Sequence, residues 1–212
     1  MHRSRILGSA VATGAILVLA LSSVAGAHHG KLLRSYDNIY IDHSGANTFT
    51  ATPGHRDLVY GLGGADSIET GDRRDKVLGG RGGDKIDAGP GRDIVSGGHG
   101  RDTILGGDGR DRLNGGSHAD DIDGGANRDR INGGWGGDVI KGGPGPDVLN
   151  GGPGGDTITG GSGHDRIFGG RGNDTILAAD GVRDYINCGP GFDSYAADDI
   201  DRVAGNCESP LP

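Results

Sequence analysis

The sequence predicts an all-β protein, a parallel β-roll (β-solenoid) of about seven 18-residue coils with terminal caps. Three features of the sequence predict this fold. Aspartate recurs every nine residues, an aliphatic residue stands two positions after each aspartate, and glycine recurs at fixed positions between them. Glycine supplies 47 of the 212 residues and aromatic residues only 4%, so a conventional packed core is not expected.

The aspartate column runs through the middle of the chain without a missing member. Its fourteen residues are Asp57, Asp66, Asp75, Asp84, Asp93, Asp102, Asp111, Asp120, Asp129, Asp138, Asp147, Asp156, Asp165 and Asp174. In every unit the residue two positions later is Val, Ile or Leu. The unit is therefore G-G-x-G-x-D-x-U-x, in which U is aliphatic, and it covers residues 52–177.

Each unit divides into a turn and a short strand. Glycine reaches positive φ without steric cost, so the glycine-rich part suits a tight turn with exposed carbonyls. The remainder, such as Asp84-Lys85-Ile86, places one aliphatic side chain inward between outward polar groups. Two units make one coil, and stacking of the coils places alternate aspartates on the same edge, about 4.8 Å apart.

The two aspartate edges create an electrostatic problem. Each edge carries seven aspartates and therefore six neighbouring pairs. Two like charges about 5 Å apart repel by roughly 1 kcal/mol in water and by roughly 3 kcal/mol at an effective dielectric constant of about 20. A divalent cation between successive carboxylates would relieve this repulsion. Calcium fits best because it accepts six to eight oxygens in flexible geometry, whereas magnesium needs a rigid octahedron and zinc prefers nitrogen or sulfur.

The repeated unit resembles the haemolysin-type (repeat-in-toxin, RTX) calcium-binding nonapeptide repeat, here in a stand-alone secreted chain. The resemblance implies that the fourteen aspartates and the turn carbonyls bind Ca²⁺ between adjacent coils, with about a dozen ions in all. It also implies that the roll folds only once calcium is present. Similar Cys-Gly-x-Gly-x-Asp endings accompany this repeat in secreted actinobacterial proteins, and Cys188 begins such an ending here.

The N-terminal residues 1–27 have the pattern of a secretory signal peptide. Arg3 and Arg5 precede an apolar stretch, and Ala25-Gly26-Ala27 fits the small-x-small cleavage pattern. The alternative is a membrane anchor, which the short apolar stretch and the lack of a following basic flank disfavour. We expect the exported chain to begin at His28, to lie outside the cell and to have no membrane span. Loss of two arginines moves the net charge from −8 to −10.

The ends of the array are predicted to be caps. Residues 28–51 carry degenerate repeats, with Ile39, Ile41 and Phe49 in short strands, and residues 178–212 form the C-terminal cap. Export permits a disulfide between Cys188 and Cys207. A metal site is the alternative for this pair, but two lone cysteines lack the clustered partners that zinc needs.

Several units depart from the consensus. The inner glycine is replaced by His55, Arg73, His118 and Asn127, which predicts weaker calcium sites beside Asp120 and Asp129. Six units carry arginine before the aspartate, and five of the six lie on one edge: Arg56, Arg74, Arg92, Arg110 and Arg128. One interpretation is neutralisation of the adjacent carboxylates, and the other is a surface that binds anions or polysaccharide.

These patterns favour a non-enzymatic, extracellular calcium-binding protein whose roll folds on binding calcium. An enzyme is not predicted, because residues 28–51 are too few for a catalytic domain and neither HExxH nor GxSxG occurs. The alternative is a surface adhesin, matrix component or glycan-binding spacer, with cell-surface or extracellular polysaccharide as the partner. No nucleic-acid partner is predicted.

Overall fold

The chain forms an all-β parallel solenoid in a computed structural model that describes residues 17–20, 36–41, 45–51 and 53–211. These residues contain twenty-one strands and no α-helix. The strands are β1 (Leu17–Ala20), β2 (Asn38–Ile41), β3 (Thr48–Thr50), β4 (Asp57–Tyr60), β5 (Ser67–Glu69), β6 (Lys76–Arg81), β7 (Lys85–Asp87), β8 (Ile94–His99), β9 (Thr103–Leu105), β10 (Arg112–Ser117), β11 (Asp121–Asp123), β12 (Arg130–Trp135), β13 (Val139–Pro144), β14 (Val148–Pro153), β15 (Thr157–Ser162), β16 (Arg166–Arg171), β17 (Thr175–Leu177), β18 (Tyr185–Asn187), β19 (Ser194–Ala196), β20 (Arg202–Val203) and β21 (Ser209–Pro210).

Alternate strands belong to two facing sheets. The first sheet has the order β1-β2-β4-β6-β8-β10-β12-β14-β16-β18-β20, and the second has the order β3-β5-β7-β9-β11-β13-β15-β17-β19-β21. Neighbouring strands are parallel except β1, which pairs antiparallel with β2. In the repeat region a residue faces its equivalent 18 positions later, as in the pairing of Leu113 with Ile131. Two nine-residue units therefore make one coil, as the sequence predicts.

The roll has about nine turns, more than the seven expected from the sequence. The additional turns lie outside the regular repeat, where β2 and β3 precede the first full coil and β18 to β21 follow the last. The sequence predicts degenerate units in both caps, but their irregular lengths kept them out of the count of 18-residue coils. Tyr185, for example, faces Arg166 at a separation of 19 residues.

The core consists of two ladders of buried aliphatic side chains, one from each sheet. The first-sheet ladder is Val59, Val77, Val95, Leu113, Ile131, Leu149, Ile167 and Ile186. The second-sheet ladder is Phe49, Ile68, Ile86, Ile104, Ile122, Ile140, Ile158 and Ile176. Each strand contributes one large side chain to this narrow core, so the contacts within it are mostly between adjacent coils.

The N-terminal end of the core is covered by aromatic rings. Tyr40 stands in register with Val59, and its ring centroid lies 4.1 Å from that of Phe49. Tyr40 is thus the residue of β2 that packs against the core cluster, whereas Ile39 is the buried residue of the strand and pairs with Leu58. The predicted signal peptide, residues 1–27, lies outside the described residues except for 17–20. The described part of the chain contains no helix that is both long enough and apolar enough to cross a bilayer.

The C-terminal end of the roll is held by the disulfide between Cys188 and Cys207, as the sequence predicts. The two Cα atoms are 5.2 Å apart, Cys188 is fully buried, and Cys207 packs against the same core cluster. A cross-link over a loop of 19 residues restricts the unfolded chain, which stabilises the folded state by about 3 kcal/mol in the chain-entropy model. The disulfide therefore ties the irregular last coil to the regular array.

Candidate metal centre

All fourteen aspartates of the repeat are buried, although they stand in surface turns. Their exposed fractions range from 0% at Asp57 to 4% at Asp66. The turns bring them together in two columns, as the alternation predicts. The column that leads into the first sheet is Asp57, Asp75, Asp93, Asp111, Asp129, Asp147 and Asp165, and the column that leads into the second is Asp66, Asp84, Asp102, Asp120, Asp138, Asp156 and Asp174. Buried carboxylates need partners, since burial of an unpaired charge is costly.

One oxygen of each carboxylate has a partner in the coil before it. The backbone N–H of Asp111 donates to Oδ1 of Asp129 at 2.8 Å, and that of Asp129 donates to Oδ1 of Asp147 at 2.7 Å. The same bond recurs at 2.6 to 2.9 Å along both columns. Each aspartate therefore links two coils, a contact that the sequence analysis did not predict.

The other oxygen, Oδ2, is buried and accepts no hydrogen bond at nearly every position of the two columns. These atoms belong to Asp57, Asp75, Asp84, Asp93, Asp102, Asp111, Asp120, Asp129, Asp138, Asp147, Asp156, Asp165 and Asp174. A buried acceptor without a donor costs about 1 to 3 kcal/mol, and more when it is charged. Because a buried Oδ2 without a donor recurs along both columns, the turns have a repeated position at which a further group could contact this oxygen.

Backbone carbonyls approach the same place from the next coil. A Cβ atom added to Gly124 would lie 2.8 Å from Oδ2 of Asp129 and 2.6 Å from the carbonyl oxygen of Gly142. Glycine is needed at position 124 because a side chain would fill this space between the coils. Two oxygens from different coils thus face a common small volume. Both oxygens are acceptors, so a cation is the group that fits between them.

Burial raises the pKa of the column carboxyls well above their ordinary value of 3.8. The pKa rises to about 8 for Asp93 and Asp129 and to about 7 for Asp75. Desolvation is the largest cause, the hydrogen bond from the preceding coil lowers the pKa, and repulsion by neighbouring aspartates raises it further. The spacing of the aspartates in the sequence indicates only the repulsion. Loss of water around the carboxylates is the larger obstacle to charging them.

Two of the four units that lack the inner glycine keep its left-handed backbone conformation. His118 and Asn127 adopt positive φ values of 84° and 82° in place of glycine. This conformation costs a non-glycine residue about 1 to 2 kcal/mol. Asp120 and Asp129 nevertheless remain in their columns with hydrogen bonds of 2.8 Å. The predicted weakness of these two sites therefore has no counterpart in the positions of their aspartates.

The columns continue beyond the fourteen predicted residues. Asp184 and Asp193 are each 1% exposed, and each has a buried Oδ2 without a hydrogen-bond partner. Their Oδ1 atoms accept the N–H groups of Asp165 and Asp174 at 2.8 and 2.9 Å. The one-residue slip between Asp174 and Asp184 already indicated Asp184-Tyr185-Ile186 and Asp193-Ser194-Tyr195 as final, imperfect units, but the predicted ligand set did not include their aspartates.

The arrangement differs from a compact metal cage of side chains. Within the residues that the structure describes, no group of three or more His, Cys, Asp or Glu side chains is placed to hold a metal ion. The donor set is one carboxylate oxygen per turn together with backbone carbonyls. All of these are oxygen donors, which favours Ca²⁺ over zinc.

The comparison with family models decides the family. The model of the RTX calcium-binding nonapeptide repeat matches the chain in overlapping segments that begin at residue 43 and end at residue 176, more than half of the chain. The chain belongs to the RTX calcium-binding nonapeptide repeat family. The buried aspartates of this RTX roll lie at the position that the repeat unit reserves for aspartate. No curated protein matches the chain.

Proposed function

We propose that this RTX protein is a non-enzymatic, extracellular calcium-binding protein whose roll folds when Ca²⁺ binds between its stacked turns. The observation that carries the proposal is the repeated buried Oδ2 atom without a hydrogen-bond donor. Calcium would supply the positive charge that these oxygens and the turn carbonyls lack. Asp Oδ1 would keep its hydrogen bond to the preceding coil, so the carboxylate would be held in place before the cation arrives.

The proposed ligands are the fourteen aspartates of the two columns together with carbonyls of the glycine turns. Gaps between successive aspartates on the two edges give about a dozen sites. Asp184 and Asp193 extend the two columns by one position each. Each has a buried carboxylate whose Oδ1 accepts a hydrogen bond and whose Oδ2 does not. The proposed domain limits stay those of the sequence: a signal peptide at 1–27, caps at 28–51 and 178–212, and the calcium-binding roll at 52–177.

The proposed location outside the cell agrees with the expected calcium affinity. Extracellular calcium modules bind in the range of about 10⁻⁴ to 10⁻³ M. A roll of that affinity stays unfolded at cytoplasmic calcium concentrations and folds after export. The chain would thus acquire its rod shape only where calcium is abundant.

Substitution of Asp129 by Asn tests the role of a single column carboxylate. The amide keeps an acceptor for the N–H of Asp111 but removes the charge, so we expect calorimetry to count about one ion fewer and the calcium midpoint to rise severalfold. Asp121→Asn is the matched control, because Asp121 lies in the preceding strand, β11, and its side chain is exposed on the second sheet. Equal calcium stoichiometry in both variants and the unchanged protein would contradict the assignment of Asp129 as a ligand.

A glycan-binding spacer is a second candidate function, and exposure of the arginine-bearing edge favours it. Arg74, Arg92, Arg110 and Arg128 are exposed, whereas the aspartates beside them are buried. The salt bridge that this edge forms within the described residues joins Arg56 to Asp37, outside the aspartate column, at 3.1 Å. These guanidinium groups are therefore available to an anionic partner. A glycan array probed in calcium with the protein and with an Arg-to-Ser variant of the edge tests this function, and equal binding rejects it.

A further inference from the structure

The two flat faces of the roll carry opposite charge. The strands β6, β8, β10, β12, β14, β16, β18 and β20 of the first sheet contain no acidic residue. They contain the cations Lys76, Arg81, Arg112, Arg130, Arg166, Arg171 and Arg202. The strands β5 to β21 of the second sheet carry the acids Glu69, Asp87, Asp121 and Asp123 against two lysines, Lys85 and Lys141. We call the outward surface of β6 to β20 the basic face. Its charge contrasts with the net charge of −8 for the whole chain.

The basic face keeps like charges side by side. Arg112 and Arg130 stand directly opposite each other on adjacent parallel strands. Like charges at paired positions destabilise a sheet by a few tenths of a kcal/mol or more. On the second sheet Asp123 faces Lys141, a pair of opposite charges, and Glu69 faces Asp87, a pair of like charges. The uncompensated arginines of the basic face are explained if an anionic partner lies across them.

An aromatic platform stands among these cations. The ring centroids of Phe168 and Tyr185 are 5.8 Å apart on adjacent strands. The Arg166 guanidinium carbon lies 5.8 Å from the Phe168 centroid and 5.9 Å from that of Tyr185, and the Arg202 carbon lies 5.7 Å from Tyr185. An open groove beside the platform is lined by the exposed cations Arg166, Arg183 and Arg202, by His164 and Tyr185, and by the buried column residues Asp165 and Asp184. The platform thus combines apolar ring surface with several positive charges.

Amide side chains line the same face between the charged positions. Asn132 donates to Asn114 at 2.6 Å, and Asn150 donates to Asn132 at 2.6 Å. Phe168 occupies the next position of this asparagine ladder, and Asn187 follows it. The ring of Phe168 therefore replaces an amide that would fit the local hydrogen-bond pattern. This replacement indicates that the ring serves the surface rather than the stability of the roll.

We infer that the basic face binds a carboxylated polysaccharide. Arginine forms paired hydrogen bonds with carboxylates, amides bond to hydroxyl groups, and an aromatic ring covers the apolar side of a sugar ring. A polymer with repeated carboxylates matches cations that repeat along a straight stack of coils. Single-stranded nucleic acid is less suitable because it needs a succession of stacking aromatic rings, and the platform offers one pair. The inference rests on the proposed function, since the face exists only in the folded roll.

Binding of a hyaluronan oligosaccharide in calcium tests the inference, with neutral dextran and duplex DNA as reference polymers. The test variant is Arg112→Ser, Arg130→Ser and Arg166→Ser combined. The control is Lys85→Ser, Arg101→Ser and Lys141→Ser, which removes three exposed cations from the rest of the surface. We expect the test variant to lose at least about tenfold in hyaluronan affinity and the control to lose less than about twofold. Phe168→Asn, which extends the asparagine ladder, should weaken binding about threefold or more.

Circular dichroism of every variant separates this inference from the calcium proposal. A variant that has the unchanged spectrum in calcium but no longer binds hyaluronan supports the basic face. Equal losses in the test and control variants, binding of DNA as tight as that of hyaluronan, or no hyaluronan binding by the folded protein overturn it. If the roll stays folded in chelator, the calcium proposal fails, and the binding comparison is then made in chelator with the same expected outcome.

Discussion

Excess chelator at about pH 7.5 is expected to abolish the β-roll, because each column carboxyl then has to be buried either as an uncompensated charge or after taking up a proton that it does not hold in the unfolded chain at this pH. Far-ultraviolet circular dichroism should change from a strand spectrum to that of an unfolded chain, and small-angle scattering should show expansion. Return of millimolar Ca²⁺ should restore both signals cooperatively. At ten times its Kd a site contributes about 1.4 kcal/mol, so occupancy of about four to ten sites matches the whole net stability of about 5 to 15 kcal/mol of an ordinary domain.

Magnesium at equal ionic strength is the control for this experiment. It should restore little of the roll, since it dehydrates reluctantly and needs a strict octahedron. Recovery of the strand spectrum with magnesium or with sodium chloride alone would show that general screening of charge is sufficient. A compact roll in chelator at neutral pH, with no response to Ca²⁺, would falsify the proposed function outright.

Acidification is expected to fold the calcium-free protein, which is the reverse of ordinary acid denaturation. Burial raises the pKa of Asp93 and Asp129 to about 8, of Asp120 and Asp156 to about 7, and of Asp111 to about 6, all from 3.8. Between about pH 4 and pH 8 the folded roll therefore binds more protons than the unfolded chain, so its stability falls as pH rises through this window. A shift of two pKa units at one site corresponds to about 2.7 kcal/mol, and many sites act together.

The measurement is a series of urea melts from about pH 4.5 to pH 8 on protein freed of calcium with a chelating resin. The urea midpoint should rise steadily as the pH falls. A parallel series in calcium should show the opposite trend, since protons compete with the cation for the same oxygens. Loss of structure on acidification of the calcium-free protein would contradict the burial of charged aspartates in the roll.

The repeated core of the fold could be predicted from two columns of residues. Aspartate at every ninth position and an aliphatic residue two places later, as at Asp138 and Ile140, define both the strand and the inward side chain. The end coils could not be predicted in the same way. Their carboxylates follow at irregular separations of 19, 17 and 15 residues, as in the bond from the Asp193 N–H to Glu208. A loop of variable length preserves the stacking while it destroys the sequence period.

The chemistry of the site was predictable only in part. The clustered carboxylates implied a cation. The different roles of the two oxygens, with Oδ1 accepting a hydrogen bond and Oδ2 left without one, depend on how closely one coil stacks on the next. The N–H of Asp111, for instance, reaches Oδ1 of Asp129 because the coils are in register at this turn. The basic face could have been found by sorting the residues after each aspartate into alternate units. The contact between the rings of Phe168 and Tyr185 could not have been found in this way, because an inserted residue shifts the repeat of Tyr185 out of the nine-residue period.

The stacking of eighteen residues into each coil also has a mechanical consequence. Eighteen residues span roughly 60 Å when extended, whereas one coil advances the rod by only about 4.8 Å. Each coil that opens under tension therefore releases more than ten times its own height in contour length. If calcium folds the roll as we propose, the protein would be a short rod at high calcium concentration and an extended, flexible chain when calcium is removed.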